Sequence, residues 1–562
     1  MPTDLPWGIP PGLILLLGGL LLPLWTGRMR RLAMLILPLL DWYHLTLFTE
    51  SGAHGQFTWL GQTLVLAQVD ALALFFGYAF HLAIFIHALY ALDLRDHWQP
   101  AAGFAYAGSA IGAVFAGDLI SLFVYWELTA ITSVFLVWAR RSPRALRAGM
   151  HYLLLQLLSG LLLLAGLMVQ VAQTGSLLFT AYSHDTVIGV LLLLAFGIKA
   201  AFPLLHGWLV DAYPEATVAG SVFLSAFTTK LAIYALIRGF AGDSLLIGIG
   251  AVTIVTTLIW AALEDDLRRV LSYALINQLG LMVVAIGVGS RLALAGAVAH
   301  ALSHILYKSL LMMAIGAVVL RTGTARISKL GGLARQMPWT AACCVLGALG
   351  MSAPGFAGFV SKSLILTAAA ETGRLWLWLL VLLSSAGVFL VAGVRACYYA
   401  FWASPRQHYE VGEAPPSMRI AMGLTALCLL AVGMAPQWLY ALLPYPVHEH
   451  VYGLDHVLTQ LQLLLFVGLG FGFCLRRDWL PAPRGVLVDA DWLYRYLLPA
   501  GVRRLESIWQ RFGAAIRSAW NEAQPWLWTQ LTQRQSRQNW PTGTMMLWVA
   551  VLLAAYLILY FI

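Results

Sequence analysis

The feature that most limits what this chain can be is a succession of apolar runs beginning near residues 11, 32, 70, 100, 119, 149, 187, 218, 245, 270, 292, 336, 376, 419, 457 and 543. Each approaches the ~20 residues that a helix needs to cross a bilayer's hydrocarbon core. One soluble core cannot absorb that much apolar sequence. Little is left to face water, because 60% of the 562 residues are AVILMFWYC and only 10% are charged. The runs predict an all-α polytopic membrane protein of about 14–16 transmembrane helices. No basic stretch precedes the first run and Asp4 stands before it, so it is expected to be a retained helix and not a cleaved signal.

Loop charge sets the expected sidedness. With the N-terminus outside, the inner loops receive Arg28, Arg30, Arg31, Arg95, Arg140, Arg141, Arg144, Arg147, Arg268 and Arg269, then Arg321, Arg326, Lys329, Arg335, Arg406, Arg419, Arg476 and Arg477. The outer side receives only Arg238, Arg291 and Arg374. That positive-inside pattern predicts a multi-pass protein of the inner (plasma) membrane with both termini on the outer, periplasmic side. It also explains the net charge of +9 without nucleic-acid binding. Residues 476–542 mix Asp489, Asp491, Arg495, Arg503, Arg504, Glu506, Arg511, Arg517 and Glu522 with Trp492, Leu505, Trp509, Trp520, Trp526 and Trp528. They predict an amphipathic helix along the inner interface, or alternatively a small cytoplasmic appendage, before a last span at 543–562. The five cysteines form no CxxC pair and lie mostly in apolar runs. No metal, cofactor or protein-bound redox centre is expected.

Of the 34 basic residues only five are lysines, and four of those, Lys199, Lys230, Lys308 and Lys362, fall inside apolar runs. Arginine stays protonated, whereas a lysine in a low-dielectric site can lose its proton near neutral pH. Each charge at a helix centre costs roughly 2.5–3.5 kcal/mol on insertion scales, so four lysines and a glutamate imply a penalty of order ten. Snorkelling or helix bridging explains one such lysine more readily than four. The acidic partner is Glu127, deep within Leu119–Ser133, a helix that Asp118 is placed to cap. His300, His304 and Lys308 recur every four residues, which turns each side chain by about 40° and raises it ~6 Å along one helix face. Such a ladder accepts and donates protons over about 12 Å of depth. His81 and His87 read as satisfied core histidines.

Two interruptions accompany the lysines. Pro203 lacks the N–H that would bond the Lys199 carbonyl, so the helix is expected to open there. Pro354, Gly355 and Gly358 predict a second break just before Lys362. Backbone released at membrane depth needs protein or a wet cavity to satisfy it. A matched pair of breaks points to related half-structures over 100–240 and 244–402.

Together these residues resemble the antiporter-like subunits shared by respiratory complex I and the Mrp-type sodium/proton antiporters, over roughly 65–405. The matching segments are Trp126-Glu127-Leu128, Lys199 with Pro203-Leu-Leu-His206-Gly-Trp208-Leu-Val-Asp211, Lys230, Asp266-Leu-Arg-Arg-Val-Leu-Ser272-Tyr273 with Gln278-Leu-Gly280, the ladder from His300 to Lys308, and Gly358-Phe-Val-Ser-Lys362. The resemblance implies two inverted five-helix repeats with broken helices. It pairs Glu127 with Lys199, carries protons through Lys230, His300, His304 and Lys308 to Lys362, and makes His206, Asp211 and Tyr273 accessory. Tyr213-Pro-Glu-Ala-Thr, Phe-Thr-Thr-Lys230 and Val488-Asp489-Ala-Asp491-Trp492-Leu-Tyr494-Arg495 look closest to the long D-type subunits of Mrp antiporters. Pro214-Glu215-Ala216-Thr217 departs from complex I subunits, which usually carry a second proline.

The expected organisation is N-terminal helices over 1–95, the two repeats, further helices over 403–475, the amphipathic segment and the last span. The expected function is a proton-translocating subunit of a multi-subunit cation/proton antiporter, with other membrane subunits, lipid, protons and Na+ as partners and no bond chemistry of its own. The alternatives are the pump subunit of a complex I-like oxidoreductase or membrane hydrogenase, and the proton-conducting partner of an inorganic-carbon uptake complex.

Overall fold

Each apolar run contributes a helix in the computed structural model of the chain, which describes residues 5–59, 61–94, 96–405, 407–477, 497–535 and 542–561. Arg95, Arg406 and the stretch 478–496, with Asp489, Asp491, Trp492, Tyr494 and Arg495, lie outside the described residues. The chain opens with α1 (Leu13–Leu21) and α2 (Gly27–Thr46), then β1 (Gly52–Trp59) and β2 (Gln62–Val69). There follow α3 (Ala71–Tyr90), α4 (Trp98–Phe115), α5 (Leu119–Trp138), α6 (Pro143–Thr174), α7 (Val187–Lys199), α8 (Gly207–Glu215), α9 (Val218–Ala226) and α10 (Thr228–Phe240). Next come α11 (Leu245–Leu263), α12 (Leu267–Val288), α13 (Arg291–Thr322), α14 (Pro338–Leu349), α15 (Ala357–Glu371) and α16 (Leu375–Val388). The helix of α16 runs on through a π-helical turn at Phe389–Val394, α17 (Arg395–Cys397) and a second π turn at Tyr398–Trp402. Then come α18 (Pro416–Met434), α19 (Pro436–Leu442), α20 (Leu454–Arg476), α21 (Leu498–Gln535) and α22 (Thr542–Phe561).

Among the described residues, ten helices are long and apolar enough to cross a membrane, counting α9 with α10 and α16 with its continuation, and four shorter apolar helices accompany them. The chain is a multi-pass helical membrane protein. It divides into two compact units, 1–489 and 490–562. In the second, α21 carries Val502, Leu505, Trp509, Phe512, Ile516 and Trp520 at helical spacing and exposed, with Arg503, Arg504, Glu506, Arg511 and Arg517 on its other side. That is the amphipathic helix the sequence predicts.

In the first unit the arginine-bearing connections are joined at one end. Arg31 pairs with Asp93 at 3.3 Å, Arg141 with Asp96 at 3.7 Å and Arg140 with Glu215 at 2.9 Å. The other end carries the hairpin β1–β2, antiparallel with Gly52 opposite Val69, an element the apolar runs do not announce. Asp118 fastens it. Its carboxylate caps α5 through the Ser121 amide at 2.8 Å and accepts the Val65 amide of β2 at 2.8 Å, while the Gly117 amide bonds the Val65 carbonyl at 3.1 Å. At the same end Asp70 caps α3 and pairs with Arg238 of α10 at 2.7 Å.

Three interruptions open helices in the interior. Lys199 ends α7; Ala201 and Leu204 follow with positive φ of 58° and 69°, and Trp208 donates its indole N–H to the Ile198 carbonyl at 2.9 Å. The end of α8 is closed by Arg268, whose guanidinium reaches the carbonyls of Tyr213, Ala216 and Thr217 at 2.9–3.2 Å. Between α14 and α15 the chain turns through Pro354 and Gly355 (φ 87°), and Gly358 comes so close to the Gly350 and Met351 carbonyls that a Cβ would overlap them. Phe227 makes the third break, between α9 and α10, and the Thr228 amide it frees is taken by the Tyr106 hydroxyl at 2.8 Å. Elsewhere Arg395, set between the two π turns, closes α11 by donating to the Ala261 and Glu264 carbonyls at 3.1 and 3.0 Å.

Two outcomes follow for stability. Asp118→Ala removes a buried cap and the hairpin anchor together, so the detergent-solubilised chain loses about 2–3 kcal/mol and its melting temperature falls by several degrees, while Asp118→Asn loses less. His184, in the α6–α7 connection, is hydrogen-bonded to Asp243 at 2.8 Å, and that carboxylate raises the imidazole above its ordinary range. A raised folded pKa means that the stabilisation is full at low pH and is lost as pH climbs past the free imidazole value of ~6.5 and through the folded one. The stability gap between wild type and His184→Gln therefore narrows from pH 5.5 to pH 8.5, which thermal melts across that range check.

Candidate functional site

The lysines and the histidine ladder that the sequence places inside apolar runs stay away from water. Lys199, Lys230, His300, His304 and Lys308 are 0% exposed and Lys362 is 5% exposed. Glu127 is partly buried, and its Oε1 has no hydrogen-bond partner among the described residues.

At the first break, the Lys199 ammonium donates to the Trp126 carbonyl at 2.6 Å and the Thr129 hydroxyl at 2.7 Å, and lies 4.3 Å from the centre of the Trp126 ring. It thus docks on the turn of α5 that carries Glu127, and no ion pair between the two is formed among the described residues. Ser159 of α6 fixes that turn, accepting the Trp126 indole at 2.9 Å and donating to the Ala195 carbonyl at 2.7 Å. Opposite the carboxylate stands Gly160, where a Cβ would overlap Glu127.

The third break serves Lys230. Its ammonium reaches back to the Ser225 carbonyl at 2.5 Å, which the interruption at Phe227 leaves without its helical donor. Beside it His87 of α3 stands edge-on to Phe223 and Phe227 with ring centres 5.5 and 6.1 Å away, and shares a 2.9 Å hydrogen bond with Ser309, next to Lys308. His87 is a packed histidine as its sequence context indicates, yet it sits against two of the buried lysine positions. His81 is likewise bound, to Asp41 at 2.8 Å, in a fully buried pair joining α2 to α3.

The ladder on α13 forms as its spacing requires. The rings of His300 and His304 stack with centres 5.9 Å apart, and the Lys308 ammonium donates to the Leu271 carbonyl of α12 at 3.0 Å. Both His304 nitrogens are buried without a partner among the described residues. His300 enters a side-chain network invisible in its own spacing. Nδ1 meets Ser361 at 2.9 Å and Nε2 meets the Gln278 carbonyl oxygen at 3.2 Å, and Gln278 donates to Asn277 and Ser384. Ser361 adjoins Lys362, whose ammonium bonds Ser352 at 3.1 Å, itself 3.1 Å from Ser385. The accessory residues form a different group. His206 stacks on Trp260 at 5.1 Å, Tyr273 tilts against the same ring at 6.0 Å, and Asp211 meets His151 at 3.2 Å.

Three buried lysines at helix breaks, buried imidazoles on a continuous helix and a partly buried carboxylate, all within a polytopic bundle, define an ion-handling class of membrane subunit. Residues 116–387 match the profile of the NADH:quinone oxidoreductase/Mrp antiporter transmembrane family, and the chain belongs to that family. It is 27% identical over 421 residues to hydrogenase-4 component B of Escherichia coli K12, a match covering 66% of this chain and 62% of that protein, less than two thirds of its length. It is 29% identical over 371 residues to the D-type subunit of the Na+/H+ antiporter of Bacillus subtilis, covering 61% and 74% of the two chains. With NADH-quinone oxidoreductase subunit N of Desulforudis audaxviator it shares 30% over 347 residues, 57% and 69% of the two chains. A chain of the membrane-bound sulfane sulfur reductase, an archaeal respiratory membrane complex, has the same fold over 97% of this chain and 99% of its own, with TM-score 0.71 at 23% identity.

Gly160→Ala is expected to cost about 1–3 kcal/mol because its methyl displaces the Glu127 carboxylate. The same change in a Glu127→Ala background is expected to be nearly neutral. A double-mutant cycle from thermal melts checks this coupling.

Proposed function

We propose that this chain is the proton-translocating subunit of a multi-subunit cation/proton antiporter, with Glu127 and Lys199 gating uptake and Lys230, His300, His304 and Lys308 passing protons on to Lys362. The observation that carries the reading is the burial of the relay itself, with Lys199, Lys230, His300, His304 and Lys308 at 0% exposure and Lys362 at 5%. A membrane protein meets that insertion penalty where the groups are used. An ammonium with one carbonyl and one hydroxyl as acceptors, as at Lys199, has oxygen enough to hold a proton at low cost. It can release it when the Glu127 carboxylate accepts the proton, leaving amine and carboxyl both neutral, or when an adjoining water carries it away, the two side chains titrating as a coupled pair.

Protons are favoured over sodium because nitrogen bases dominate the interior, whereas a sodium site needs several oxygen ligands. Na+ would cross through a partner subunit. Residues 100–240 and 244–402 are read as inverted repeats, each with one lysine at a proline break, α7/α8 and α14/α15. The arginine pattern puts the hairpin end outside, in the inner membrane of the cell. A second reading makes the chain the pump subunit of a redox complex, favoured by its likeness to hydrogenase-4 component B. Its partners decide. Co-purification with small antiporter subunits supports the first reading, and with iron–sulfur subunits the second.

Proton uptake by proteoliposomes of the assembled complex is the test. Lys199→Ala and Glu127→Ala are each expected to lower it by about 10²-fold or more, as removing a positioned proton-transfer group does. Unchanged transport in both overturns the assignment.

A further inference from the structure

All five cysteines are free thiols. Their spacing along the chain pairs none of them, yet the fold brings two together. The Cys397 thiol of α17 donates to the sulfur of Cys344 in α14 at 3.4 Å, across 53 positions of sequence. The pair is shut away from solvent, with Cys344 0% and Cys397 6% exposed. A disulfide holds its sulfurs at about 2 Å, so joining these two takes roughly 1.4 Å of approach, within the reach of side-chain rotation and a small helix shift.

The two thiols stand at one end of a seam. From them α14 and the bulged helix run side by side to Ser352 and Ser385, whose hydroxyls meet at 3.1 Å. Between these ends Gly393 of the first π turn lets α14 come close, since a Cβ there would stand 3.3 Å from the Ala348 Cβ and 3.5 Å from the tip of Met351. The far end of the seam serves the charge, because Ser352 is also the acceptor of the Lys362 ammonium at 3.1 Å. Helices held by one pair of hydroxyls and a glycine contact are free to slide, and a π turn lets a helix take up such a shift without unwinding. Two residues before Cys397, Arg395 is anchored on the α11 carbonyls at 3.1 and 3.0 Å. A covalent link at Cys397 therefore ties α14 to α11 as well.

We propose that Cys344 and Cys397 form an oxidisable dithiol, a modification site for a small uncharged oxidant of the peroxide class, and that their disulfide clamps the seam and slows transport. The site stands on the sulfur geometry, and its effect on transport rests on the proton-translocating reading above. The sulfur of Cys397, the less buried of the two, attacks hydrogen peroxide and breaks its O–O bond, giving a sulfenic acid, while the displaced hydroxide leaves with the thiol proton as water. The Cys344 sulfur then attacks that sulfur. An S–S bond forms as the S–O bond breaks, and the second hydroxide leaves with the Cys344 proton as water. The two thiols lose two electrons together and the peroxide is reduced to two waters. The oxidant has to be uncharged, because the pair lies in an apolar interior where an ion pays a large desolvation penalty. Once the link is made α14 no longer moves against α17, Ser352 stays on Ser385, and Lys362 keeps its acceptor.

The test uses the assembled complex in membranes treated with hydrogen peroxide. Peptide mapping by mass spectrometry without reductant is expected to find the α14 peptide joined to the α17 peptide, with the link kept in Cys343→Ala and lost in Cys344→Ala and in Cys397→Ala. Closing so long a loop restrains the unfolded chain, so the linked form is expected to melt several degrees above the reduced one. Proton uptake by the oxidised complex is expected to fall by about tenfold, the size of an ordinary coupling between separate sites, and to recover with dithiothreitol. Cys344→Ala and Cys397→Ala are expected to transport as the wild type does and to be indifferent to peroxide. A link through Cys343, sulfinic or sulfonic acids in place of the disulfide, or a disulfide that leaves transport unchanged each overturns the proposal. The two readings fail separately. If the linked chain transports normally while Lys199→Ala does not, the clamp is wrong and the function stands. If Lys199→Ala transports normally, the pathway assignment falls, whereas the joined peptides and the raised melting temperature are still found.

Discussion

An ammonium group held out of water must be given oxygen atoms by the protein around it, and in a bundle of apolar helices those atoms are in short supply. Intact helices spend their carbonyls on their own amides. The chain meets the demand in two ways, by interrupting helices for Lys230 and Lys362 and by docking Lys199 and Lys308 on neighbouring intact ones. Lys230 takes the Ser225 carbonyl stranded by the break at Phe227, and Lys362 takes a serine hydroxyl from the turn between α14 and α15. Lys199, at the end of α7, borrows a carbonyl and a threonine hydroxyl from α5. The breaks are thus as much a part of the buried charges as the amines themselves.

Each interruption then needs its own repair, and the repairs account for residues that otherwise look unrelated. Trp208 and Arg268 close the carbonyl ends around α7 and α8, Tyr106 takes the amide of Thr228, and Tyr452 accepts the amide of Gly355 at 3.2 Å. Ser303 of the ladder helix bonds the Ala357 carbonyl at 3.0 Å, so that α13 supports the start of α15 while presenting His300 and His304. The result ties helices distant in sequence into one scaffold. A buried backbone group without such a partner costs roughly 1–3 kcal/mol.

How much of this is legible in the sequence depends on the signal each element leaves. The helices follow from the length of the apolar runs, the cap of α5 from Asp118, and the breaks at Lys199 and Lys362 from Pro203 and Pro354, which remove amides. The break at Phe227 is not legible, because Ser225-Ala-Phe-Thr-Thr carries neither proline nor glycine, and the groups it frees are met by tertiary partners, the Tyr106 hydroxyl at the Thr228 amide and the Lys230 ammonium at the Ser225 carbonyl. The hairpin is equally hidden, since β2 buries Leu64, Val65, Ala67 and Val69 without a clean alternation. In the site, the lysines and the histidine ladder stand out by charge and spacing. Ser361, Ser384 and Asn277, which link His300 towards Lys362, are small polar residues of the kind found in any transmembrane helix, and their role comes from tertiary placement. The Asp41–His81 pair lies 40 residues apart in sequence and becomes one feature only when α2 and α3 pack.

The two π turns around Arg395 have a further consequence. Each wide turn accommodates about one extra residue within a helix that never unwinds, so the helix carries a phase offset between Ser384 on one side and Arg395 on the other. Losing a single position outside these turns would rotate everything downstream by about 100°, swinging the guanidinium off the end of α11 while Ser384 kept its place. A loss inside a wide turn is taken up as that turn relaxes to an ordinary α turn. The tolerance of this helix to changes of length is thus concentrated at the two turns that flank Arg395.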